Sequence, residues 1–328
     1  MGIRISGVGA YVPARSVSNG ELERTIDTSD EWIVSHTGIH ERHLCEPDEA
    51  PSDLGYRAAQ RCLQRAGVEA SAVDLIVVAC ATPDQSQPAV ACIIQEKLGI
   101  AQRHCPAFDV NSVCAGFVFA LDVAQSMMLA SPERFRNVLV IGTDAFSKIL
   151  NWQDRRTCIF FGDGAGAVLL SSTSDERRMR FILGSDGRGR HCIEVPAGGT
   201  RAPVTREVLE KRSNTFVMQG PKVWDFAVET VPKVIRELLG QQGLQPRDLD
   251  LLVLHQSNLR MIERIVGSLE MSMEQTVTTL ETCGNTAAAS IPLTLDRAVE
   301  LGRLRPGARV LLCGFGGGLS WGAALLEW

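Results

Sequence analysis

An internal repeat constrains the fold of this chain more than any other sequence feature. The segment Ala66–Val78 resembles Gln242–Leu254, and their matching residues Asp74 and Asp250 lie 250 − 74 = 176 positions apart. A second pair of similar segments follows at nearly the same offset, Asn137–Ser147 and Arg309–Leu319. Two similar offsets indicate one structural unit that occurs twice along the chain.

Each unit alternates short apolar segments of strand length with helical segments, which predicts an α/β fold with helices covering the sheets. We expect three of the helices at residues 88–98, 114–129 and 223–239. Pro232 should kink or break the third of these helices. The polar stretch Ser171–Arg178 separates the units. The sequence therefore predicts two halves, residues 1–172 and residues 173–328.

Composition excludes several classes of function. The chain has 328 residues, a formal net charge of −5 and no long Lys/Arg run, so we expect no general attraction for nucleic acid. No uninterrupted apolar stretch approaches the roughly 20 residues of a membrane span, and no secretory signal pattern is present, which favours the cytoplasm. The ten cysteines show no metal-binding spacing, so we expect reduced thiols and no metal site.

Cys114 is the candidate nucleophile. It lies in Asp109–Leu121, where a strand-like segment meets a helix-like one. Backbone N–H groups and the positive end of a helix dipole at such a junction favour a thiolate. A lone cysteine is more often a buried structural residue. The catalytic interpretation therefore depends on partners elsewhere in the chain.

Two polar residues of the second half are the candidate partners. His255 follows the apolar run Leu251–Leu254 and should emerge at a strand end, and Asn285 lies in Cys283–Pro292. Together with Cys114 they supply a nucleophile, a base or hydrogen-bond donor, and an amide that helps to bind an oxyanion. Such a site would form at the junction of the two units, a common place for a ligand cleft.

Two glycine-rich segments have different interpretations. Gly314–Gly322 follows a strand-like run, and its glycines would let the backbone approach a ligand and aim an N–H at an oxyanion, or simply form a tight turn. Gly162–Gly166 superficially resembles a phosphate loop. It leads into the strand-like Val168–Leu170 rather than a helix, so we interpret it as structural.

In combination, these motifs resemble ketoacyl synthase III, a family of β-ketoacyl-carrier-protein synthases in the thiolase superfamily. The resemblance covers essentially the whole chain and includes Thr28–Val34, Thr37–Ile39, Asp109–Asn111, Cys114–Gly116, Phe161–Gly166, His255–Gln256, Asn258–Arg260, Gly284–Thr286 and Gly316–Gly318. It implies two βαβαβαββ-type halves in a five-layered αβαβα sandwich, usually a homodimer.

The resemblance also implies a decarboxylating condensation. Cys114 would take an acyl group from acyl-CoA, which is a substrate and not a cofactor. His255 and Asn285 would stabilise the anion formed when a malonyl thioester on acyl carrier protein loses carbon dioxide. The backbone N–H groups of Cys114 and Gly316 would form the oxyanion hole of the acyl-transfer steps.

Further residues match binding positions of the family. Trp32 and Arg155 match residues that sandwich the adenine of coenzyme A. The remaining positions implied for coenzyme A are His36, Gly220 and Asn258. The segment implied for carrier-protein contact comprises Gln256, Ser257, Asn258, Leu259 and Arg260, and the acyl pocket is implied to involve Gln87, Phe161 and Phe315.

Several residues depart from the family pattern. His36 stands where the family usually has Arg, and histidine is a poorer phosphate partner than guanidinium at neutral pH. Gln87 stands where members often have a Phe that reaches into the partner subunit's acyl pocket. Asp225, Gly267 and Ser268 replace lysines that are common near the carrier-docking surface. Five basic residues could replace the lost charge: Arg188, Arg190, Arg201, Arg206 and Lys222.

These departures leave alternatives open. The chain could be a specialised paralogue, either a quinolone- or polyketide-type condensing enzyme or a non-decarboxylating acyltransferase. A thiolase would need a second catalytic cysteine, for which Cys313 lies near the right region. A cysteine hydrolase and a catalytically silent partner subunit are further possibilities, and an intact Cys114, His255 and Asn285 set argues against the silent subunit.

Overall fold

The computed structural model describes residues 1–101 and 104–328. Its strands are β1 Gly2–Tyr11, β2 Ser16–Ser18, β3 Glu41–His43, β4 Leu75–Ala79, β5 Ala107–Val110, β6 Asn137–Asp144, β7 Gly164–Thr173, β8 Arg180–Ser185, β9 Ile193–Glu194, β10 Val217–Met218, β11 Leu251–Leu254, β12 Arg309–Gly316 and β13 Ser320–Glu327. Its helices are α1 Asn19–Leu22, α2 Asp30–Thr37, α3 Pro51–Ala66, α4 Val90–Lys97, α5 Gly116–Ala130, α6 Arg155–Cys158, α7 Arg206–Glu210, α8 Gly220–Gln241, α9 Leu259–Ser268, α10 Leu280–Cys283 and α11 Ser290–Glu300.

Two sheets with equivalent topology form the two halves. The first has the order β1-β7-β6-β4-β5, and the second has the order β11-β12-β13-β8. In both sheets a central parallel pair, β4 with β6 or β11 with β12, continues into antiparallel strands. Thr276 forms a parallel bridge to Leu252 of β11, in the position that β5 takes beside β4. The duplicated architecture is therefore confirmed.

The repeated aspartates accept equivalent backbone hydrogen bonds in both halves. The carboxylate of Asp74 accepts hydrogen bonds from the backbone N–H groups of Arg136 and Asn137, at 2.9 and 3.0 Å. Asp250 accepts one from the N–H of Arg309, at 2.8 Å. Each aspartate thus pins the start of one strand to the start of its parallel neighbour, which explains why the repeat was visible at these positions.

Helices pack in three layers around the two sheets. α5 contacts β4 and β6 of one sheet and β12 and β13 of the other, and α11 likewise touches both sheets. α3 and α4 cover the outer face of the first sheet. α8 covers the second sheet, and apolar residues of α9 join the same buried cluster. The result is the expected five-layered αβαβα sandwich. By length and composition, the segment Val113–Ala130 is apolar enough to cross a membrane. In this fold it lies between the two sheets, where α5 contacts both.

The predicted helices occur with small differences in their ends. α8 runs from Gly220 to Gln241 with Pro232 inside it, so Pro232 does not break the helix, and the alternative of a kink stays a prediction. Proline removes one backbone hydrogen bond, but a buried apolar stripe that includes Val231 and Ile235 anchors both sides of it. The proposed boundary after residue 172 falls one residue before the end of β7.

Candidate active site

Cys114 lies at the predicted junction between a strand and a helix. After β5, the chain passes through a short 3₁₀ turn, Val113–Ala115, directly into α5. The Oδ1 atom of Asn111 accepts a hydrogen bond from the N–H of Val113 at 3.2 Å. Val113 has a φ of 45°, an uncommon conformation for a β-branched residue. This strained turn presents Cys114, which is only 6% exposed, to an interior cavity.

The surroundings of Cys114 favour the thiol rather than the predicted thiolate. Burial raises the pKa of the Cys114 thiol well above its usual range, and the nearby Asp144 carboxylate acts in the same direction. A backbone hydrogen bond at Cys114 lowers the pKa but does not outweigh burial. The apolar enclosure of the helix start thus acts against the thiolate that the position of Cys114 at this junction was expected to favour.

His255 emerges directly after β11, as predicted. Its backbone N–H donates to the carbonyl of Cys313 at 2.9 Å, and its ring meets Phe315 edge-on with centroids 5.3 Å apart. Nδ1 lies 2.7 Å from the Oγ atom of Ser290. Burial lowers the pKa of His255 to about 3, so the imidazole is neutral at physiological pH.

Asn285 is held by both its backbone and its side chain. Its N–H donates to the carbonyl of Phe160 at 2.8 Å, and its own carbonyl accepts from the N–H of Gly162 at 3.1 Å. The Oδ1 atom accepts from the N–H of Ala287 at 2.9 Å. Because the amide oxygen is committed to this turn, the NH₂ group is the end available to a ligand. Gly162 is thus structural, as predicted from the sequence.

Gly316 lies beside the nucleophile at the end of β12. A methyl group added at Gly316 would be 2.9 Å from Cβ and 3.1 Å from the sulfur of Cys114. At Gly314, an added methyl group would lie 2.9 Å from Cα of Ala115. The glycine run therefore allows the close backbone approach that its sequence indicated, and it also forms the turn between β12 and β13.

The three catalytic candidates surround one narrow cavity of about 40 Å³. Phe161 and Phe315 line this inner cavity, as expected for an acyl pocket. Phe146 and Phe216 also line it, and sequence analysis missed both. Phe146 stacks on Phe161 with centroids 4.7 Å apart, while Phe216 meets both rings edge-on. No spacing in the sequence marks these residues, because three distant segments bring them together.

A larger pocket of about 400 Å³ adjoins the inner cavity, and Phe161, Ser257 and Asn285 line both. The five residues implied for coenzyme A binding all line this outer pocket: Trp32, His36, Arg155, Gly220 and Asn258. The Arg155 guanidinium lies 5.0 Å from the Trp32 ring centroid, and the His36 ring stacks on Trp32 at 4.3 Å. The expected aromatic and cationic groups are thus adjacent.

His36 is turned back toward its own helix. Its Nδ1 donates to the carbonyl of Trp32 at 2.7 Å, since a carbonyl oxygen can only accept. One ring nitrogen, Nε2, is left for a ligand. Two of the basic residues that could replace the missing arginine are already paired: Arg188 with Asp186, and Arg206 with Glu210.

The segment implied for carrier contact divides into buried and exposed residues. Gln256 is fully buried, and its side chain donates to the carbonyl of Leu254 and accepts from the N–H of Thr279. The implied carrier contact of Gln256 is therefore wrong, because its amide joins two segments of the interior. Arg260 is exposed and donates to the carbonyl of Ser35 and to Glu263.

The other three residues of that segment are only partly exposed. Asn258 caps α9 and donates to the carbonyl of His36 at 2.9 Å. Leu259 packs against Gly38, and Ser257 faces both pockets. Gln87 is exposed and lies outside the lining of either pocket within the described chain.

Asp144 is a buried charged residue that sequence analysis missed. Its carboxylate accepts hydrogen bonds from the N–H groups of Ala81, Thr82 and Ala288, and from the Thr82 hydroxyl. Burial raises the pKa of Asp144 to about 6. It lies at the end of β6 and ties the loop after β4 to the segment that carries Asn285.

Comparisons with known proteins agree with this geometry. Family models described as 3-oxoacyl-[acyl-carrier-protein] synthase III match residues 108–187 and, for the C-terminal part, residues 239–328. The chain is 44% identical to a β-ketoacyl-[acyl-carrier-protein] synthase III of Alkalilimnicola ehrlichii, with 99% of each chain covered. Its identity to a protein of the same name from Neisseria meningitidis is 43%, again with 99% of each covered.

Solved structures give the same result. A 3-oxoacyl-(acyl carrier protein) synthase III from Pseudomonas aeruginosa superimposes with a TM-score of 0.91 at 37% identity, covering 100% of this chain and 98% of that one. The corresponding enzyme from Aquifex aeolicus superimposes with a TM-score of 0.91 at 34% identity, covering 100% of both chains.

Proposed function

The chain belongs to the β-ketoacyl-[acyl-carrier-protein] synthase III family of the thiolase superfamily, and from that premise we propose how its residues act. It is an acyltransferase, the condensing enzyme that initiates fatty-acid biosynthesis. The comparisons favour this role over the secondary-metabolism alternative. The observation that carries the residue assignments is that Cys114, His255 and Asn285, from three separate segments, line one cavity that opens into a larger pocket.

In the first step, the Cys114 sulfur attacks the carbonyl carbon of acyl-CoA. The C–S bond to coenzyme A breaks, and the departing thiolate takes the proton that Cys114 loses. The backbone N–H groups of Cys114 and Gly316 stabilise the tetrahedral oxyanion, because hydrogen bonds act most strongly where charge develops. The product is an acyl-Cys thioester with its chain among the aromatic residues of the inner cavity.

In the second step, a malonyl thioester on acyl carrier protein occupies the outer pocket. Loss of carbon dioxide leaves an enolate, whose oxygen accepts hydrogen bonds from the neutral His255 imidazole and the Asn285 amide. The enolate carbon attacks the acyl-Cys carbonyl, and the Cys114 thiolate departs. These transfers need no metal or bound cofactor, so we expect activity to survive chelation by EDTA.

We also propose a cellular location and an oligomeric state for the enzyme. We place it in the cytoplasm as a homodimer with no membrane or nucleic-acid partner. Four large apolar side chains between residues 195 and 217 are exposed, which supports burial against a second copy: Val195, Val204, Leu209 and Val217. Gln87 would then contribute to the partner's acyl pocket. Light scattering of the purified protein should give twice the 35.6 kDa chain mass.

A single-turnover experiment tests the assigned roles. Incubation with labelled acetyl-CoA should place one acetyl group on Cys114, seen by peptide mass spectrometry, and Cys114→Ala should abolish the adduct. Malonyl-carrier protein should then release carbon dioxide together with condensed product. His255→Ala should still acylate but release little carbon dioxide. Free acetate without condensation would instead indicate a hydrolase, and an unlabelled Cys114 would overturn the nucleophile assignment.

A further inference from the structure

The contact between His255 and Ser290 determines which nitrogen of the imidazole carries the proton. Ser290 is the first residue of α11, and both side chains are buried, with exposures of 2% and 0%. Nδ1 of His255 and Oγ of Ser290 are 2.7 Å apart, which is a normal hydrogen-bond distance. In a neutral imidazole one nitrogen donates and the other accepts, so this bond can run in either direction.

The direction of this hydrogen bond follows from the need of the buried Ser290 hydroxyl proton for an acceptor. The Ser290 hydroxyl always carries a proton, and within the described hydrogen bonds its side-chain partner is Nδ1 of His255. If Nδ1 were the donor, the hydroxyl proton would be buried without an acceptor, which is costly in an enclosed site. The hydroxyl therefore donates to Nδ1, and the ring proton lies on Nε2.

We propose that Ser290 is a positioning residue that holds His255 as the Nε2–H tautomer and so makes it a donor toward the cavity. The inference rests on the proposed function of His255 as a donor to the enolate. Asn285 is oriented in a parallel way, because the N–H of Ala287 occupies its Oδ1 and leaves its NH₂ group as the donor. One short segment, residues 285–290, thus fixes both donors.

Nitrogen NMR of the wild-type protein tests the tautomer directly. Protein labelled with ¹⁵N-histidine should show a pyridine-type Nδ1 and a pyrrole-type Nε2 for His255, identified as the signals that vanish in His255→Asn. The reverse pattern would overturn the proposal. This readout does not depend on turnover, so it separates failure of the inference from failure of the proposed function.

Kinetics of two variants test the consequence. Ser290→Ala removes the hydroxyl, and carbon dioxide release from malonyl-carrier protein should fall about 10- to 100-fold in kcat with little change in KM. Acylation of Cys114 by acetyl-CoA should change less than about threefold, because it does not use the His255 donor. Equal loss in both steps, or no loss in decarboxylation, would contradict the assignment.

Thr294→Val is the matched control. Thr294 is also fully buried in α11, and its hydroxyl donates to the backbone carbonyl of Ser290 at 2.8 Å and pairs with Thr279. It lacks contact with the imidazole among the described hydrogen bonds. Thr294→Val should lower stability while leaving the ratio of decarboxylation to acylation within about twofold of wild type. A changed ratio would mean that general damage to α11 explains the Ser290→Ala result.

Discussion

At the scale of single residues, the site is built so that its titratable side chains rest without charge. Cys114 and His255 share a narrow cavity walled by aromatic and aliphatic groups. Burial raises the pKa of Cys114 and lowers the pKa of His255 to about 3, so neither group is ionised near neutrality. A neutral imidazole retains one N–H that can donate to a developing enolate, which suits decarboxylation.

The raised pKa of Cys114 predicts how its reactivity depends on pH. Because the reactive thiolate is scarce, alkylation by iodoacetamide should accelerate about tenfold per pH unit from pH 6 to pH 9. Mass spectrometry of the Cys114 peptide measures this rate, and Cys92, which is partly exposed, provides an internal comparison. A rate that levels off near pH 7 would show a thiolate stabilised by the start of α5.

The lowered pKa of His255 predicts a loss of stability in acid. Between pH 6.5 and about 3 the unfolded chain binds a proton at this residue that the folded protein excludes. The free energy of unfolding should therefore decrease as pH falls through that window, by up to about 1.4 kcal/mol per pH unit. Urea titrations of wild type and His255→Asn at several pH values measure the contribution. Parallel curves for the two proteins would contradict it.

At the scale of elements, the two halves contribute matching turns to the site. Val113–Ala115 precedes α5, and the 3₁₀ turn Ala287–Ala289 precedes α11, and the two turns contact each other. An asparagine lies two residues before each turn, and its Oδ1 accepts a hydrogen bond from the N–H of the first turn residue. Each also has a non-glycine residue at positive φ, 45° at Val113 and 48° at Ala287. The same duplicated turn thus positions Cys114 in the first half and Asn285 in the second.

Gly316 lies where the end of β12 contacts the turn that carries Cys114, so there is no room for a side chain at this position. Gly316→Ala should push Cys114 from its position and slow acylation by more than about 100-fold, measured by single-turnover labelling. Gly267→Ala is the matched control, because an added methyl group there meets nothing within 4 Å. In α9 it should raise stability by about 0.5–1 kcal/mol and leave acylation unchanged. Wild-type acylation rates in Gly316→Ala would disprove the steric argument.

The sequence was informative where a local pattern dictates the structure. The repeat predicted two equivalent sheets, the apolar run before His255 predicted a strand end, and the glycines predicted close backbone approach. Contacts between distant segments were invisible, and these include the Phe146 and Phe216 rings and the Ser290 hydroxyl. Gln256 was misassigned because motif position does not reveal that a polar side chain bonds inward.

At the scale of the whole molecule, the two halves cannot be separated without exposing their interior. One buried apolar cluster includes Leu75 and Val140 of the first half together with Leu251 and Val310 of the second. α5 and α11 each contact both sheets within it. Neither half has an apolar core of its own on the inner face, so the halves should fold together.

This shared core predicts a single cooperative unfolding transition. Fluorescence reports on the entire molecule, because tryptophans lie in both halves: Trp32 and Trp152 in the first, and Trp224, Trp321 and Trp328 in the second. Fluorescence, circular dichroism and residual acylation should give the same urea midpoint. Two resolved transitions, or a fragment of residues 1–172 with native-like circular dichroism, would show that the halves are independent.

The two matching turns carry different residues, so the two halves of the molecule are not equivalent. A duplicated chain could carry two equivalent active sites. However, the position that Cys114 takes in the first turn is taken by Ala288 in the second. The carbonyl of Ala288 lies so near Gly142 that a methyl group there would be 2.3 Å away. The first half therefore carries the candidate nucleophile, while the matching turn of the second half carries Ala288, whose carbonyl packs against Gly142 of the first sheet.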